Sequence, residues 1–303
     1  MTHDASATAE RRGTLYVVST PIGNMGDVSL RALDVLRTVP LIAAEDTRHT
    51  RRLLDRHAVA TRTTSYHARS APARLAALLG HLRGGADLAL VSDAGTPAVS
   101  DPGGELVAAW AAEGGIVVPI PGASAVLAAV AASGLAGPRW SFEGFLPRSG
   151  HERRERVARI AADERGTILY EAPGRVAATL RDLAEACGPD RPAAVCRELT
   201  KVHESIVRGS LGDLAESAGR GRDAGSGMPP GAIPARGEFV LVVGALPDGV
   251  PIADADAADA LAAARSEVEA LVDSGVARGD AARRVAAATG LPRRGLYGGD
   301  SDR

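Results

Sequence analysis

The sequence predicts an α/β fold made of two α/β domains, followed by a small helical C-terminal domain. Short apolar runs typical of buried strands alternate with helical segments, which is the pattern of parallel βαβ units. The 303 residues are enough for two domains of ordinary size. The composition, 45% apolar with a formal net charge of −2, is that of a globular protein and argues against massive non-specific nucleic-acid binding.

The first domain is expected over residues 13–122, after a leader, 1–12, that we expect to be disordered. Prolines and glycines break the apolar stretch 116–135 into strand, turn and helix, so no membrane span is expected there. Strands are predicted at 13–19, 41–44, 88–91 and 116–120, and helices at 30–39, 75–82 and 105–112.

The second domain is expected over residues 123–246. Within it, residues 218–237 are low in complexity and rich in glycine, which predicts a mobile insertion. Strands are predicted at 140–145, 167–170, 193–198, 205–210 and 238–244, and helices at 125–132, 151–164 and 175–187.

The third domain, residues 252–303, is alanine-rich and expected to be helical. Asp280 is suited to cap a helix that runs to about residue 289. The spacing of the following residues resembles a helix-turn-helix unit whose second helix carries Arg293 and Arg294, which would contact RNA. The alternative is a helical appendage that packs on the main body.

Several common kinds of site are excluded by missing motifs. No GxGxxG opens a βα unit and no GxxxxGK[ST] occurs, which argues against a dinucleotide fold and a P-loop. No HExxH, CxxC or histidine cluster is present, so no metal is expected. Cys187 and Cys196 suggest no disulfide framework and no secretory signal is apparent, so a cytoplasmic location is expected.

Four turns rich in glycine, proline and polar residues each follow an apolar strand: TPIGN at 20–24, AEDTR at 44–48, SDAGTP at 92–97 and PGASA at 121–125. Because parallel strands end at the same edge of a sheet, these turns are expected to line one cleft. Taken singly, each turn also suits an ordinary helix-capping loop.

Eight sequence blocks in order resemble one family closely. They include LYVVSTPIGNMGD, LIAAEDTRHT, LALVSDAGTPAVSDPG, VVPIPGASA, LYEAPGR and RELTKVHE, and the resemblance covers roughly residues 13–246. The chain is similar to the ribosomal small-subunit RNA methyltransferases of the tetrapyrrole-methylase family, which use S-adenosylmethionine.

The resemblance implies 2′-O-methylation of a decoding-region cytidine in 16S ribosomal RNA. It also implies two α/β domains of the tetrapyrrole-methylase type with the methyl donor in the cleft between them, and a homodimer that acts on the 30S ribosomal subunit. Two alternatives stay open, a methylase acting on a tetrapyrrole such as a precorrin or uroporphyrinogen, and a non-enzymatic RNA-binding module.

Residues that match the donor site of the wider family come from both domains. The resemblance assigns cofactor binding to Pro21, Asp93, Gly95, Thr96, Ser124, Ala125, Tyr170, Glu171, Leu199 and Thr200.

Lys201 is the sharpest catalytic candidate because it is the one lysine among 35 basic residues. Its retention suggests a need for a compact ammonium whose pKa adjusts to its surroundings. Glu45, Asp46 and Glu198 are the candidate carboxylates for a base that helps a ribose hydroxyl attack the methyl group. The alternative for Glu45 and Asp46 is to cap the next helix or to pair with Arg48.

RNA contact requires positive charge, and arginines cluster in two places, around Arg48 to Arg52 and around Arg148 to Arg154. After Tyr66 and His67 the related proteins usually continue with a polar His-Asn-Glu run, whereas this chain has Ala68-Arg69-Ser70, so Arg69 would contact RNA differently. The alternative for these clusters is a solvated helix face. The predicted RNA contacts are Arg48, Arg51, Arg52, His67, Arg148, Arg153 and Arg154, with Arg293 and Arg294 in the C-terminal domain.

Overall fold

The computed structural model of the chain describes residues 12–70, 72–223, 229–246 and 253–289. The predicted leader therefore falls outside the described residues except for Arg12. In the described part of the chain, no helix is long and apolar enough to cross a membrane.

The first sheet has five parallel strands in the order β3-β2-β4-β1-β5. The sequence predicts four of them and misses β3, which is short and polar. The strands are β1 (Thr14–Val18), β2 (Leu41–Ala44), β3 (Thr63–Ser65), β4 (Leu88–Val91) and β5 (Ile116–Ile120).

Helices cover both faces of this sheet because successive strand residues point to opposite sides. Ile42 and Ala44 pack in one cluster with α1 and α2, whereas Ala43 packs in another with α3 and α4. The result is a three-layer α/β/α unit. Its helices are α1 (Leu30–Thr38), α2 (Thr47–Arg56), α3 (Pro72–Arg83) and α4 (Gly104–Ala112).

The second sheet is mixed and has the order β6-β7-β10-β8-β9. Only β6 and β7 are parallel, and the other three pairs are antiparallel. The seven-residue loop 198–204 between β8 and β9 is too short for a parallel crossover. The strands are β6 (Trp140–Phe145), β7 (Gly166–Glu171), β8 (Pro192–Arg197), β9 (Ser205–Ser210) and β10 (Phe239–Val243).

The second sheet is also covered on both faces. One face packs against α5, where Val126 and Ala129 meet Ile168 and Val242, and the other packs against α6, α7 and α8. The division expected at residue 122 stays a prediction, and the two sheets lie on either side of it. The helices are α5 (Ala125–Ser133), α6 (His151–Ala162), α7 (Val176–Cys187) and α8 (Leu211–Asp223).

The segment 218–237 is predicted as a mobile insertion, and two of its described residues pack into the core, whereas others such as Pro230 and Arg236 are exposed. Residues 218–223 continue α8, and Ala218 and Ile233 are buried in the same core. The Ile233 amide donates to the Ser217 carbonyl at 3.0 Å. Because the segment is rich in glycine, the burial of Ala218 and Ile233 could not be predicted from the sequence.

The C-terminal domain is helical in its described part. Helices α9 (Ala253–Asp273) and α10 (Arg278–Thr289) pack through a small apolar cluster that includes Val268 and Val285. The second helix of the predicted helix-turn-helix, with Arg293 and Arg294, lies outside the described residues.

Candidate active site

A cavity of about 440 Å³ lies between the two sheets, at the carboxyl ends of the parallel strands. The turns after β1, β2, β4 and β5 reach it, as the sequence predicts for parallel strands that end at one edge. The second domain closes it with the end of β7, the loop after β8 and the start of β10.

The floor of the cavity is fixed by backbone hydrogen bonds between two turns. The Thr20 amide donates to the Gly95 carbonyl at 2.8 Å, and the Gly95 amide donates back to the Thr20 carbonyl at 3.0 Å. Gly95 has φ +80°, a conformation that favours glycine. The hydroxyls of Ser19 and Thr96 also form a hydrogen bond, at 2.9 Å. These contacts hold the turns after β1 and β4 as one unit.

One wall of the cavity is acidic. Glu45, Asp93 and Asp101 line it together. Asp93 accepts from the Asp46 amide at 2.9 Å, and the Asp93 amide donates to Glu45 Oε2 at 3.3 Å, so two turns are locked to each other. In the described ranges, no set of three histidine, cysteine or acidic side chains is arranged to hold a metal ion.

The acidic wall carries more negative charge than its surroundings compensate. Burial raises the pKa of the Asp101 carboxyl to about 6, and the charges on Glu45 and Asp93 add to the increase. Burial also raises the pKa of Glu45 above its ordinary value. Such a wall favours a cationic ligand, whose charge would stabilise the ionised carboxylates.

Asp101 was not among the predicted site residues, although it belongs to the same turn as Asp93. A strained backbone brings it to the cavity, because Ala98 and Ser100 have φ +68° and +60°. Each such residue costs roughly 1–3 kcal/mol. The signal in the sequence was the second aspartate of SDAGTPAVSDPGG, placed between proline and glycine residues that prevent helix or strand.

The second domain contributes aromatic side chains to the lining, which we call the aromatic wall. Tyr170 packs edge-on against Phe142, with ring centroids 5.0 Å apart, and against Phe145, with centroids 5.5 Å apart. Burial raises the pKa of Tyr170 to about 12, and the negative charge of Asp101 adds to the effect. Phe145 lies on the lining of the cavity and is 52% exposed. The cavity thus combines carboxylates that follow β2 and β4 with aromatic side chains from β6 and β7.

Most of the predicted donor-site residues lie on this cavity. Pro21 and Thr200 are not among its lining residues, although their neighbours Ile22 and Leu199 are. The predicted residues that line it are Asp93, Gly95, Thr96, Ser124, Ala125, Tyr170, Glu171 and Leu199.

Glu171 borders the cavity, but its carboxylate is occupied by the protein itself. The side chain is buried, Oε2 accepts from the Thr179 hydroxyl at 2.5 Å, and Oε1 accepts from the Ala172 amide at 2.8 Å. Arg175 lies 3.3 Å away as an ion-pair partner. Glu171 therefore fixes the end of β7, a structural role that the resemblance did not indicate.

Lys201 is held as a fixed cation at the junction of the two domains. Its Nζ lies 3.0 Å from Glu198 Oε1 and 3.1 Å from Glu238 Oε1. Burial alone would lower the pKa of Lys201, but the two carboxylates outweigh it and raise the pKa above its ordinary value. The surroundings therefore hold Lys201 in its charged form, and its catalytic role stays a prediction.

The lysine stem crosses to the first domain and packs on Gly23. A Cβ at position 23 would lie 2.4 Å from Lys201 Cγ, so a glycine is required for this approach. The loop that carries Lys201 is strained, with φ +52° at Glu198 and +68° at Thr200. Glu238 lines the cavity, whereas Lys201 and Glu198 stand behind it.

Asp46 is a helix cap rather than a cavity residue. Its side chain accepts from the Arg48 amide at 2.8 Å at the start of α2 and pairs with the Arg48 guanidinium at 2.8 Å. The Arg48 side chain holds the pKa of Asp46 well below its usual range. Of the two interpretations left open by the sequence, capping and pairing describe Asp46, while Glu45 reaches the cavity.

The predicted RNA-contacting residues divide into exposed and structural ones. Arg153 is 8% exposed and donates to Asp182 at 2.6 Å and to Thr179 at 3.0 Å, which corrects the RNA contact predicted for it. Arg51 is half-buried and donates to the Thr61 carbonyl at 3.4 Å. The exposed members are Arg48, Arg52, His67, Arg148 and Arg154.

Comparison with known proteins identifies relatives over most of the chain. The profile of the tetrapyrrole (corrin/porphyrin) methylases matches residues 14–215. The chain is 44% identical over 286 residues to a ribosomal RNA small subunit methyltransferase I from Synechocystis sp., covering 94% of this chain and 96% of the relative. The protein of that name from Xylella fastidiosa is 43% identical over 287 residues, covering 95% and 98%.

Solved structures of related fold are more distant in sequence. A cobalt precorrin-4 methyltransferase has a TM-score of 0.56 at 18% identity, covering 76% of this chain and 94% of that one. A uroporphyrin-III C-methyltransferase from Thermus thermophilus, solved with S-adenosylhomocysteine, has a TM-score of 0.51 at 20% identity, covering 77% and 97%.

The half-buried Asp101 makes the stability of the protein depend on pH. Its pKa is about 6 in the folded state against 3.8 as the ordinary value, so the folded state binds the extra proton and loses stability as the pH rises through 6. We expect Asp101→Asn to exceed the wild type in free energy of unfolding by about 1 kcal/mol at pH 8 once solvent screening is allowed for. The gain should vanish near pH 4.

Urea unfolding of both proteins across this pH range measures the difference. Asp190→Asn, at an exposed aspartate, is the matched control and should follow the wild type. A gain that is equal at both ends of the range would contradict this account of Asp101.

Proposed function

Because the chain belongs to the tetrapyrrole methylase family, and within it to the ribosomal RNA small subunit methyltransferase I family, we propose that it transfers a methyl group from S-adenosylmethionine to the ribose 2′-oxygen of a decoding-region cytidine in 16S ribosomal RNA. The observation that carries the proposal is the cavity between the sheets, with its acidic and aromatic walls.

The residues of the cavity fit this methyl donor. S-adenosylmethionine supplies an activated methyl carbon on a cationic sulfonium, and it also carries an apolar adenine ring. Asp93 and Asp101 would bind the cationic part, whose positive charge would stabilise the carboxylates of the acidic wall. The volume, about 440 Å³, lies within the usual range for small-molecule sites.

We propose that Glu45 is the base that accepts the proton of the ribose hydroxyl. It is the predicted catalytic carboxylate that lines the cavity, and burial raises its pKa toward the range useful for a base. Glu45 Oε2 accepts a hydrogen bond from the Asp93 amide, so Oε1 is the oxygen that would accept the proton from the ribose hydroxyl. Lys201 is a positioning residue, since it fixes Glu238 at the cavity edge and joins the two domains.

The relatives and the cavity disfavour the two rival functions. The relatives that are 43–44% identical over most of the chain are named as ribosomal RNA methyltransferases, which favours RNA over a precorrin or uroporphyrinogen as the substrate. A non-enzymatic RNA-binding module has no need of a cavity of this size between its sheets. The aromatic wall and the acidic wall together suit a cationic cofactor that contains a ring.

The proposal extends to the partners and location of the protein. The substrate is the 30S ribosomal subunit or its 16S RNA, the protein is a cytoplasmic homodimer, and the donor is its single cofactor.

Donor binding and methyl transfer test the function directly. Calorimetry should detect binding of S-adenosylmethionine, and 30S subunits that lack the modification should incorporate labelled methyl at a cytidine 2′-oxygen. Donor binding without incorporation into ribosomal RNA would reject the substrate, and failure to bind the donor would reject the function.

The acidic wall should govern affinity for the cationic donor. Asp101→Asn removes a charge-assisted contact, which is worth about 1.5–3 kcal/mol, so the dissociation constant of S-adenosylmethionine should rise at least about tenfold. Wild-type affinity should also increase as the pH rises through 6, where Asp101 ionises, whereas the variant should respond less. Calorimetry at pH 5 and pH 8, with Asp190→Asn as the control, decides between these outcomes and an unchanged affinity.

Lys201 should affect methyl transfer more than donor binding. Lys201→Arg places a larger, planar cation between Glu198 and Glu238 and over Gly23, where space is limited. We expect methylation to be abolished at unchanged donor affinity. Gly23→Ala, which must displace the lysine stem, should reduce methylation in the same way, and full activity in both variants would refute this role.

A further inference from the structure

A second, open groove of about 420 Å³ lies outside the cavity, where β3 ends and α3 begins. We call it the basic groove, and define it by Ser65, His67, Arg69, Ser70 and Arg74. Its remaining lining residues are alanines, so no acidic side chain is among the described residues that line it. The basic groove thus offers two guanidinium groups, an imidazole and two hydroxyls to one ligand.

Local hydrogen bonds give the basic groove a defined shape. The His67 amide donates to the Ser70 hydroxyl at 2.9 Å, and the Ser70 amide donates to the His67 carbonyl at 2.8 Å. The Arg69 amide donates to His67 Nδ1 at 3.2 Å. On the facing helix, Arg74 donates to the Thr64 hydroxyl at 3.1 Å, which holds its guanidinium at the groove.

The basic groove adjoins the acidic wall of the cavity. Ser65 pairs in register with Ala44, the residue before Glu45, and neighbouring strands lie about 4.8 Å apart. The Tyr66 amide donates to the Ala44 carbonyl at 2.7 Å. His67 is near enough to Glu45 for its charge to lower the pKa of that carboxyl.

The two adjacent sites have opposite charges, and this has a consequence for an anionic strand. A cytidine whose ribose reaches Glu45 brings its phosphates toward three carboxylates, which repel them. A neighbouring patch of arginines offsets this repulsion, since guanidinium groups bind phosphate oxygens in pairs. The strand then enters the cavity with its sugar and leaves its phosphate outside.

We propose that the basic groove binds the phosphodiester next to the target cytidine, an inference that rests on the proposed function. Arg69 and Arg74 supply the charge, and the hydroxyls of Ser65 and Ser70 donate to the same phosphate. A contact of this kind sets the position of the strand without reading its sequence.

The salt dependence of binding tests the basic groove. The double variant Arg69→Ala/Arg74→Ala removes the charge that neutralises this one phosphate, so the slope of log K against log salt for 30S subunits should become shallower by about 0.7. Between 50 and 200 mM salt, the ratio of wild-type to variant affinity should then shrink about 2.6-fold. Affinity for S-adenosylmethionine should not change, because neither arginine lines the cavity.

Matched variants separate charge from folding. The variant Arg62→Ala/Arg181→Ala removes two exposed arginines and should keep the wild-type slope. Arg62 lies at the amino end of β3, away from the basic groove, and Arg181 lies on α7. The variant Arg69→Lys/Arg74→Lys retains the positive charge and should keep most of the salt dependence of the wild type. An unchanged slope in the alanine variant would overturn the inference.

Two further outcomes are distinct. A loss of affinity for intact subunits but not for protein-free 16S RNA would assign the groove to a ribosomal protein and overturn the RNA contact. If the wild type binds no S-adenosylmethionine and methylates no subunits, the proposed function fails instead, whatever the groove variants show.

Discussion

The reciprocal hydrogen bonds between Thr20 and Gly95 are the contact on which the candidate site depends. Strands β1 and β4 are neighbours in the first sheet, but strand pairing ends where the turns begin. An isolated antiparallel bridge between Thr20 and Gly95 joins the two turns beyond the parallel strands, and its glycine has a left-handed conformation. With the turns joined in this way, Asp93 and Thr96 have fixed positions before any ligand arrives, which reduces the ordering cost of binding.

Charge is divided sharply along the carboxyl edge of this sheet. Three carboxylates follow β2 and β4, and two arginines follow β3, one strand further out. A donor with a cationic centre and an acceptor with an anionic backbone need opposite surroundings within a short distance. The strand order β3-β2-β4 provides this arrangement, because one turn follows each strand and the turns keep the order of the strands along the edge of the sheet.

The fold and the position of the cavity could be predicted from the sequence because both rest on local patterns. Apolar runs mark the strands, and the glycine and proline turns mark their ends, as around Gly95. The partners of charged side chains could not be predicted in this way. Arg153 looks like a surface arginine on a charged helix until α7 supplies Asp182 and Thr179, 29 and 26 residues further on. Strand β3 lacked an apolar signal because it is a short edge strand.

Backbone strain indicates where the fold has been shaped for a ligand rather than for stability. The described ranges contain five non-glycine residues with positive φ, and four of them, Ala98, Ser100, Glu198 and Thr200, lie in the two loops at the cavity. These loops belong to different domains, so packing within one domain does not explain both. Strain of this kind persists only where surrounding contacts fix it. Here the first loop places Asp101 on the cavity, and the second places Lys201 against Glu238, which lines the cavity.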